Sequence, residues 1–201
     1  MPSLVREGQH GHGPVRERTA TTAAVLGVPA AVGLALVGPR LLELLFGPEF
    51  AGAGRPLQVF AAALPAMFLN AVLLHALVAA GRAPWLPRLT AVRVAAAALL
   101  AALLIPRFGA AGGAAGFAAA ELVLLSCAAH ACRRARFPVP VVRPLVLGLG
   151  LSGPMALAVI SFQGGPLVAL AAGVLAFGAT VAAALWAFPG LLQGGADVRR
   201  A

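Results

Sequence analysis

The chain has no lysine, no tyrosine, a single aspartate (Asp197) and two cysteines among its 201 residues. Each shortage removes a class of function. Charged residues are 10% of the chain and hydrophobic ones 61%, with a mean hydropathy of +0.94. A soluble domain is about 25% charged, so the polar side chains here are too few to cover a core in water. No P-loop, H-E-x-x-H motif or nucleophile elbow occurs. Enzymatic chemistry has little to work with, and no catalytic residue and no cofactor is expected. The alternating histidines of "GQHGHG" (8–13) have no further ligand cluster beside them, so no metal site is expected. Cys127 and Cys132, five positions apart on one predicted helix, hold their α-carbons too far apart for a comfortable disulfide. They read as plain helix residues. The net charge is +9, which could suggest nucleic acid. The arginines, however, sit in short connections between apolar runs, and membrane topology explains them better.

What the chain does have is apolar length. A transmembrane helix needs about 20 mostly apolar residues at a rise of about 1.5 Å each. Six runs qualify, at 19–38, 57–80, 87–105, 110–132, 144–162 and 166–188. Turn chemistry stands at their ends: Gly38-Pro39, Gly54-Arg55-Pro56, Gly81 to Pro84, Pro106 to Gly109, Gly164 to Pro166, and Pro189-Gly190. The expected architecture is an all-α polytopic membrane helix bundle spanning 19–188. Residues 1–18 form a cytoplasmic leader and 189–201 a cytoplasmic tail. A cleaved signal peptide does not fit residues 1–38, because the polar leader is long, the run fills a bilayer and no A-x-A-like site follows.

The arginines orient the bundle. Arg6, Arg16, Arg18, Arg82, Arg88, Arg133, Arg134, Arg136, Arg143, Arg199 and Arg200 fall on the N-terminal side. Only Arg40, Arg55 and Arg107 fall opposite, and Arg93 lies within a span. Eleven against three is a strong positive-inside signal. Both termini are expected in the cytoplasm of a cell whose inner membrane the chain crosses several times.

Within lipid, helices associate by close packing of small residues, not by the hydrophobic effect. Gly112 and Gly116 form a GxxxG spacing, and Gly148, Gly150 and Gly153 a second small-residue cluster. Pro29, Pro65 and Pro154 lie inside predicted spans, where each removes a helix hydrogen bond and favours a kink.

Polar residues at depth are the candidate functional groups. Glu121 stands about twelve residues from Arg133, near the bilayer centre. It either lines a cavity or binds a cationic partner, or it is a protonated, hydrogen-bonded packing residue. Arg93, about six residues into its helix, either snorkels to the interface or attracts anions in a cavity wall. Asn70 reads as an interhelical hydrogen-bonder. His75 and His130 lie near the cytoplasmic ends as interfacial polar tips.

Three stretches then stand in a familiar order: "LGVPAAVGLALVGPRLLELLFGPEF" (26–50), "LQVFAAALPAMFLNAVLLHALVAAGR" (57–82) and "LLIPRFGAAGGAAGFAAAEL" (103–122). Together they resemble the C-terminal part of the O-antigen-type polysaccharide flippases. That superfamily also holds lipid II flippases and multidrug and toxin extrusion transporters. The features that carry the likeness are "LLFGPEF" and "IPRFG" as outer loops, the small-residue stretch, and the glutamate that follows. The resemblance implies one lobe of a two-lobe transporter, the other lobe being supplied in cis or in trans, and a chain that is the last six helices of a longer protein. It implies alternating access for a polyprenyl-linked oligosaccharide in a membrane-lipid setting, with a coupling cation or proton and without nucleic acid. Arg93 would contact diphosphate or acidic sugar, and Glu121 would serve ion coupling or sugar contacts. Rival readings are a multidrug–cation antiporter of the same superfamily and a non-transporting membrane partner subunit. Neighbouring glycosyltransferase genes would favour the flippase over the antiporter.

Overall fold

A computed structural model describes residues 13–135, 137, 139–161 and 166–187. The helices are α1 (Gly13–Phe46), α2 (Gly54–Ala61), α3 (Leu64–Ala79), α4 (Leu86–Arg134), α5 (Val142–Ser161) and α6 (Pro166–Ala187). Short 3-10 helices at Pro48–Ala53 and Ala83–Trp85 join them, and no strand occurs among the described residues. Three stretches, Glu17–Phe46, Pro48–Ala79 and Ala83–Arg134, are long and apolar enough to cross a membrane. The GQHGHG stretch except Gly13, Arg136, the turn at 162–165 and the tail at 189–201 lie outside the described residues.

The first departure from expectation concerns Gly38-Pro39, which does not end a helix. α1 starts at Gly13, inside the expected leader, and continues through Pro29 and Pro39 to Phe46. Proline at 39 has no N–H for the carbonyl four residues back, Ala35. The Gln58 side-chain amide donates to that same Ala35 oxygen at 3.0 Å. A residue on the neighbouring helix thus restores the bond that Pro39 removes, and the helix survives.

The second departure lies at 57–80, where one helix was expected and two are found. α2 stops at Ala61, a turn occupies residues 62 and 63, and α3 restarts at Leu64 with Pro65 in its first turn. A first-turn proline needs no N–H partner and has a helix-ready φ. Breaking the helix just upstream is how the chain accommodates Pro65.

The third feature is the region between 87 and 132. A single residue, Gly109, leaves helical geometry there, with φ 58° and ψ −138°. That conformation is strained for any residue with a Cβ. Contacts then step outward from it in antiparallel register: Gly112 meets Leu104, Gly116 meets Leu100 and Ala101, and Glu121 meets Arg93. α4 is therefore a hairpin of two arms, 86–108 and 110–134. The GxxxG pair lies on its inner seam. A methyl group on Gly116 would stand 3.0 Å from the Ala101 backbone nitrogen, and one on Gly112 would strike the Leu104 carbonyl. The second small-residue cluster contributes less. Gly148 meets the Ala24 carbonyl and Val28 on α1, whereas Gly150 and Gly153 face open space.

Layering follows from these contacts. α1 runs antiparallel to α2 and α3, with Gly38 against Leu57 and Gly27 against Phe68. It runs parallel to α5, with Glu17 beside Arg143 and Ala24 beside Gly148. α6 packs on α5 and α1, whereas the α4 hairpin packs on α2 and α3. A core of Leu73, Leu77, Ala128, Ala131, Cys132 and Phe137 closes the end where α3 and the second arm of α4 finish. The Cys132 thiol donates to the Leu73 carbonyl at 3.9 Å.

Candidate functional site

The three polar residues singled out at depth meet at one point. α3 is apolar over most of its length, and Leu69, Leu73 and Leu77 are fully buried along it. Asn70 stands on the same buried side, 3% exposed. The second arm of α4 packs against this side of α3. Between them lies Glu121, 2% exposed. The first arm supplies Arg93, brought over Glu121 by the fold-back at Gly109.

The geometry is specific. Arg93 Nη1 donates to Glu121 Oε1 at 2.9 Å. Asn70 Nδ2 donates to Glu121 Oε2 at 2.8 Å and to the Glu121 backbone carbonyl at 2.9 Å. Each carboxylate oxygen therefore has its own donor, one of them a cation. Charge-assisted bonds of this kind are about twice as strong as neutral ones. The Glu121 side chain is 2% exposed and that of Arg93 37%, so the cation's other edge remains reachable from outside the hairpin.

Arg93 does not snorkel away to the end of its helix: its guanidinium is turned onto a carboxylate midway along the second arm. Asn70 is the interhelical hydrogen-bonder that its type suggested. One atom is left over. Asn70 Oδ1 is the only buried side-chain oxygen or nitrogen among the described residues that has no hydrogen-bond partner. A buried acceptor left unpaired is unfavourable by about 1–3 kcal/mol.

The remaining polar candidates fall elsewhere. His75 is exposed, with Nδ1 2.7 Å from the Ala71 carbonyl, and His130 is exposed on the second arm of α4. Arg82 stacks over Trp85 at 5.1 Å. No group of three or more His, Cys, Asp or Glu side chains able to hold a metal occurs among the described residues.

The IPRFG motif comes close to the residues that follow LLFGPEF. Gly52, Arg55 and Pro56, just after the first motif, and Arg107, Phe108 and Ala110, in and after the second, line one open groove of about 630 Å³. This groove and the Arg133 end of the second arm lie at opposite ends of the molecule, roughly 36 Å apart at a helical rise of 1.5 Å per residue. Sequence reading overlooked Gln58. Its signal was an amide-bearing residue on a helix expected to pack beside one with an internal proline.

Fold and site together define an all-helical protein with membrane-length apolar spans and a charge-paired polar cluster inside. No protein-family model, curated protein or solved structure matches the chain.

Proposed function

We propose that this chain is one lobe of a membrane flippase that moves lipid-linked oligosaccharide or polysaccharide precursors by alternating access. The observation that carries this reading is the Asn70–Glu121–Arg93 cluster, buried midway along the bundle. Ionisable groups at such depth are costly in lipid and characteristically mark substrate or ion pathways. In this reading the six crossings are α1, the broken α2–α3, the two arms of α4, α5 and α6. Further support comes from the order of the LLFGPEF and IPRFG motifs and from the groove that the residues after the first share with the second.

In this mechanism the polar headgroup crosses through a cavity between two lobes while its polyprenyl tail stays in lipid. Arg93 holds Glu121 in the resting state. An arriving diphosphate or acidic sugar competes for the guanidinium, which recognises phosphate well. Glu121, released, takes up a proton or cation, and the two events together shift the lobes between inward and outward states. Asn70 keeps the carboxylate in place during the exchange.

The test is loss of the locus. Its deletion should abolish surface polysaccharide and accumulate undecaprenyl-linked precursor on the cytoplasmic side, with restoration by the intact gene. Unchanged polysaccharide together with heightened sensitivity to cationic drugs would replace this reading with the antiporter. Unchanged polysaccharide without drug sensitivity, and co-purification with a separate multi-helix protein, would replace it with the partner subunit.

Sidedness has its own check. Cysteines introduced by Phe50→Cys and Phe108→Cys should react with an impermeant maleimide in intact cells, and Ala135→Cys only after permeabilisation. Labelling of Ala135→Cys from outside would reverse the orientation, in which both termini face the cytoplasm.

A further inference from the structure

The two halves of the bundle are joined through α1, and among the described residues the α4 hairpin makes no extensive contact with α5. Between the second arm of α4 and the start of α5 this leaves an open groove of about 770 Å³. Its lining is graded. Leu125, Ala129 and Arg133 follow one another at four-residue spacing, so one stripe of the helix passes from apolar to basic towards its end. Val139 and Val142 form the opposite apolar wall, and Arg143 faces across at the basic end, with His130 beside it. Among the described residues, no acidic side chain lines the groove.

We propose that this groove binds an anionic phospholipid, its phosphate between Arg133 and Arg143 and an acyl chain against Leu125 and Ala129. The site is independent of the transport reading. Charge complementarity selects an anion: two arginines from different elements line the same groove where α5 begins, and a helix start adds a favourable partial positive charge. Arg143 is not used up by Glu17. Their 3.1 Å contact engages Nη1 alone, and both side chains are well exposed, at 77% and 48%. Such a pair contributes little and leaves most of the five guanidinium N–H donors free.

The apolar length of the groove selects a lipid over a soluble phosphate. A small anion would fill the arginine end and leave Leu125, Ala129, Val139 and Val142 uncovered. Basic pockets between membrane helices recognise acidic headgroups in this way.

The experiment uses the 201-residue chain in detergent micelles doped with equal phosphatidylglycerol and phosphatidylcholine, with retained lipid read by native mass spectrometry. Phosphatidylglycerol should be retained about 25-fold over phosphatidylcholine, a factor of about five for each arginine. Arg133→Gln with Arg143→Gln should abolish that preference, whereas Arg133→Lys with Arg143→Lys should keep most of it. Arg55→Gln with Arg107→Gln, at the other end of the molecule, should leave it unchanged. On the unmodified chain the preference should shrink as salt is raised. Equal retention of the two lipids overturns the proposal, as does a preference that survives in the double glutamine variant. Full displacement of phosphatidylglycerol by millimolar glycerol 3-phosphate would also overturn it, by showing that the acyl chain plays no part.

Discussion

Glu121→Gln is expected to lower export of surface polysaccharide at least tenfold while the protein stays inserted and expressed. The carboxylate accepts from Arg93 through one oxygen and from Asn70 through the other. A glutamine can satisfy Arg93 with its carbonyl oxygen, but it then turns an NH2 towards the Asn70 NH2. Relief requires Asn70 to flip and present Oδ1, the acceptor that has no partner in the wild type. That flip gives up the bond from Asn70 to the Glu121 backbone carbonyl. The structural loss is therefore bounded: a charge-assisted contact is weakened, worth about 1.5–3 kcal/mol, and the polar groups remain mostly paired. In the proposed cycle, export depends on the charge itself, which is released from Arg93 and recovered in each turn. Glu121→Leu would confound these effects, because it strands the Arg93 cation and costs about 3–5 kcal/mol as a broken buried pair. The half-exposed guanidinium places the figure at the lower end. The two readouts are export per unit of protein and thermal unfolding in detergent. Normal export by Glu121→Gln at normal protein level across a range of pH would make Glu121 a packing residue.

Gly112→Leu is expected to open the α4 hairpin and to be the most destabilising single change on its seam. Any Cβ at 112 runs into the Leu104 carbonyl group and lies 3.0 Å from the Ile105 backbone nitrogen. These are backbone atoms held within a helix, so they cannot rotate aside, and the two arms must separate. Overpacking typically costs about 1–3 kcal/mol; with rigid backbone on both sides, a cost of about 3 kcal/mol or more is expected. The neighbouring position supplies the control. A Cβ on Gly113 meets only the Ile105 side chain at 3.6 Å, an ordinary contact, so Gly113→Ala should stay within about 0.5 kcal/mol of wild type. Thermal unfolding of the two variants side by side measures the difference. Equal stability of Gly112→Leu and Gly113→Ala would rule out a close backbone seam.

Much of this was legible in the residues themselves. The apolar runs located the end of α3, the two arms of α4, α5 and α6 to within a few positions, because each run is bounded by residues that cannot continue it. Glu121, Arg93 and Asn70 stood out by being polar where little else is. Their meeting was not read, since 28 residues separate Arg93 from Glu121. A clue was present: Arg93 and Glu121 lie at comparable distances on either side of Gly109, as partners in a hairpin must. The ends of α1 and α2 were misread for a different reason. Gly38-Pro39 is a strong local stop signal, and nothing local reveals that Gln58 will come from another helix to cap the Ala35 carbonyl. Local chemistry proposes a helix end, and a tertiary contact can veto it.

The central position of α1 bears on how the chain is made. It is the first of the described helices to leave the ribosome, and α2, α3, α5 and α6 all pack on it. Each of those helices therefore emerges to find its principal neighbour already present. The α4 hairpin is the exception: it carries its own seam of glycines and its own ion pair, and it can close on itself before docking. Among the described helices, each one after α1 is thus made with a packing partner already in place, whereas the buried Asn70 of α3 gains its partner Glu121 when the later hairpin docks.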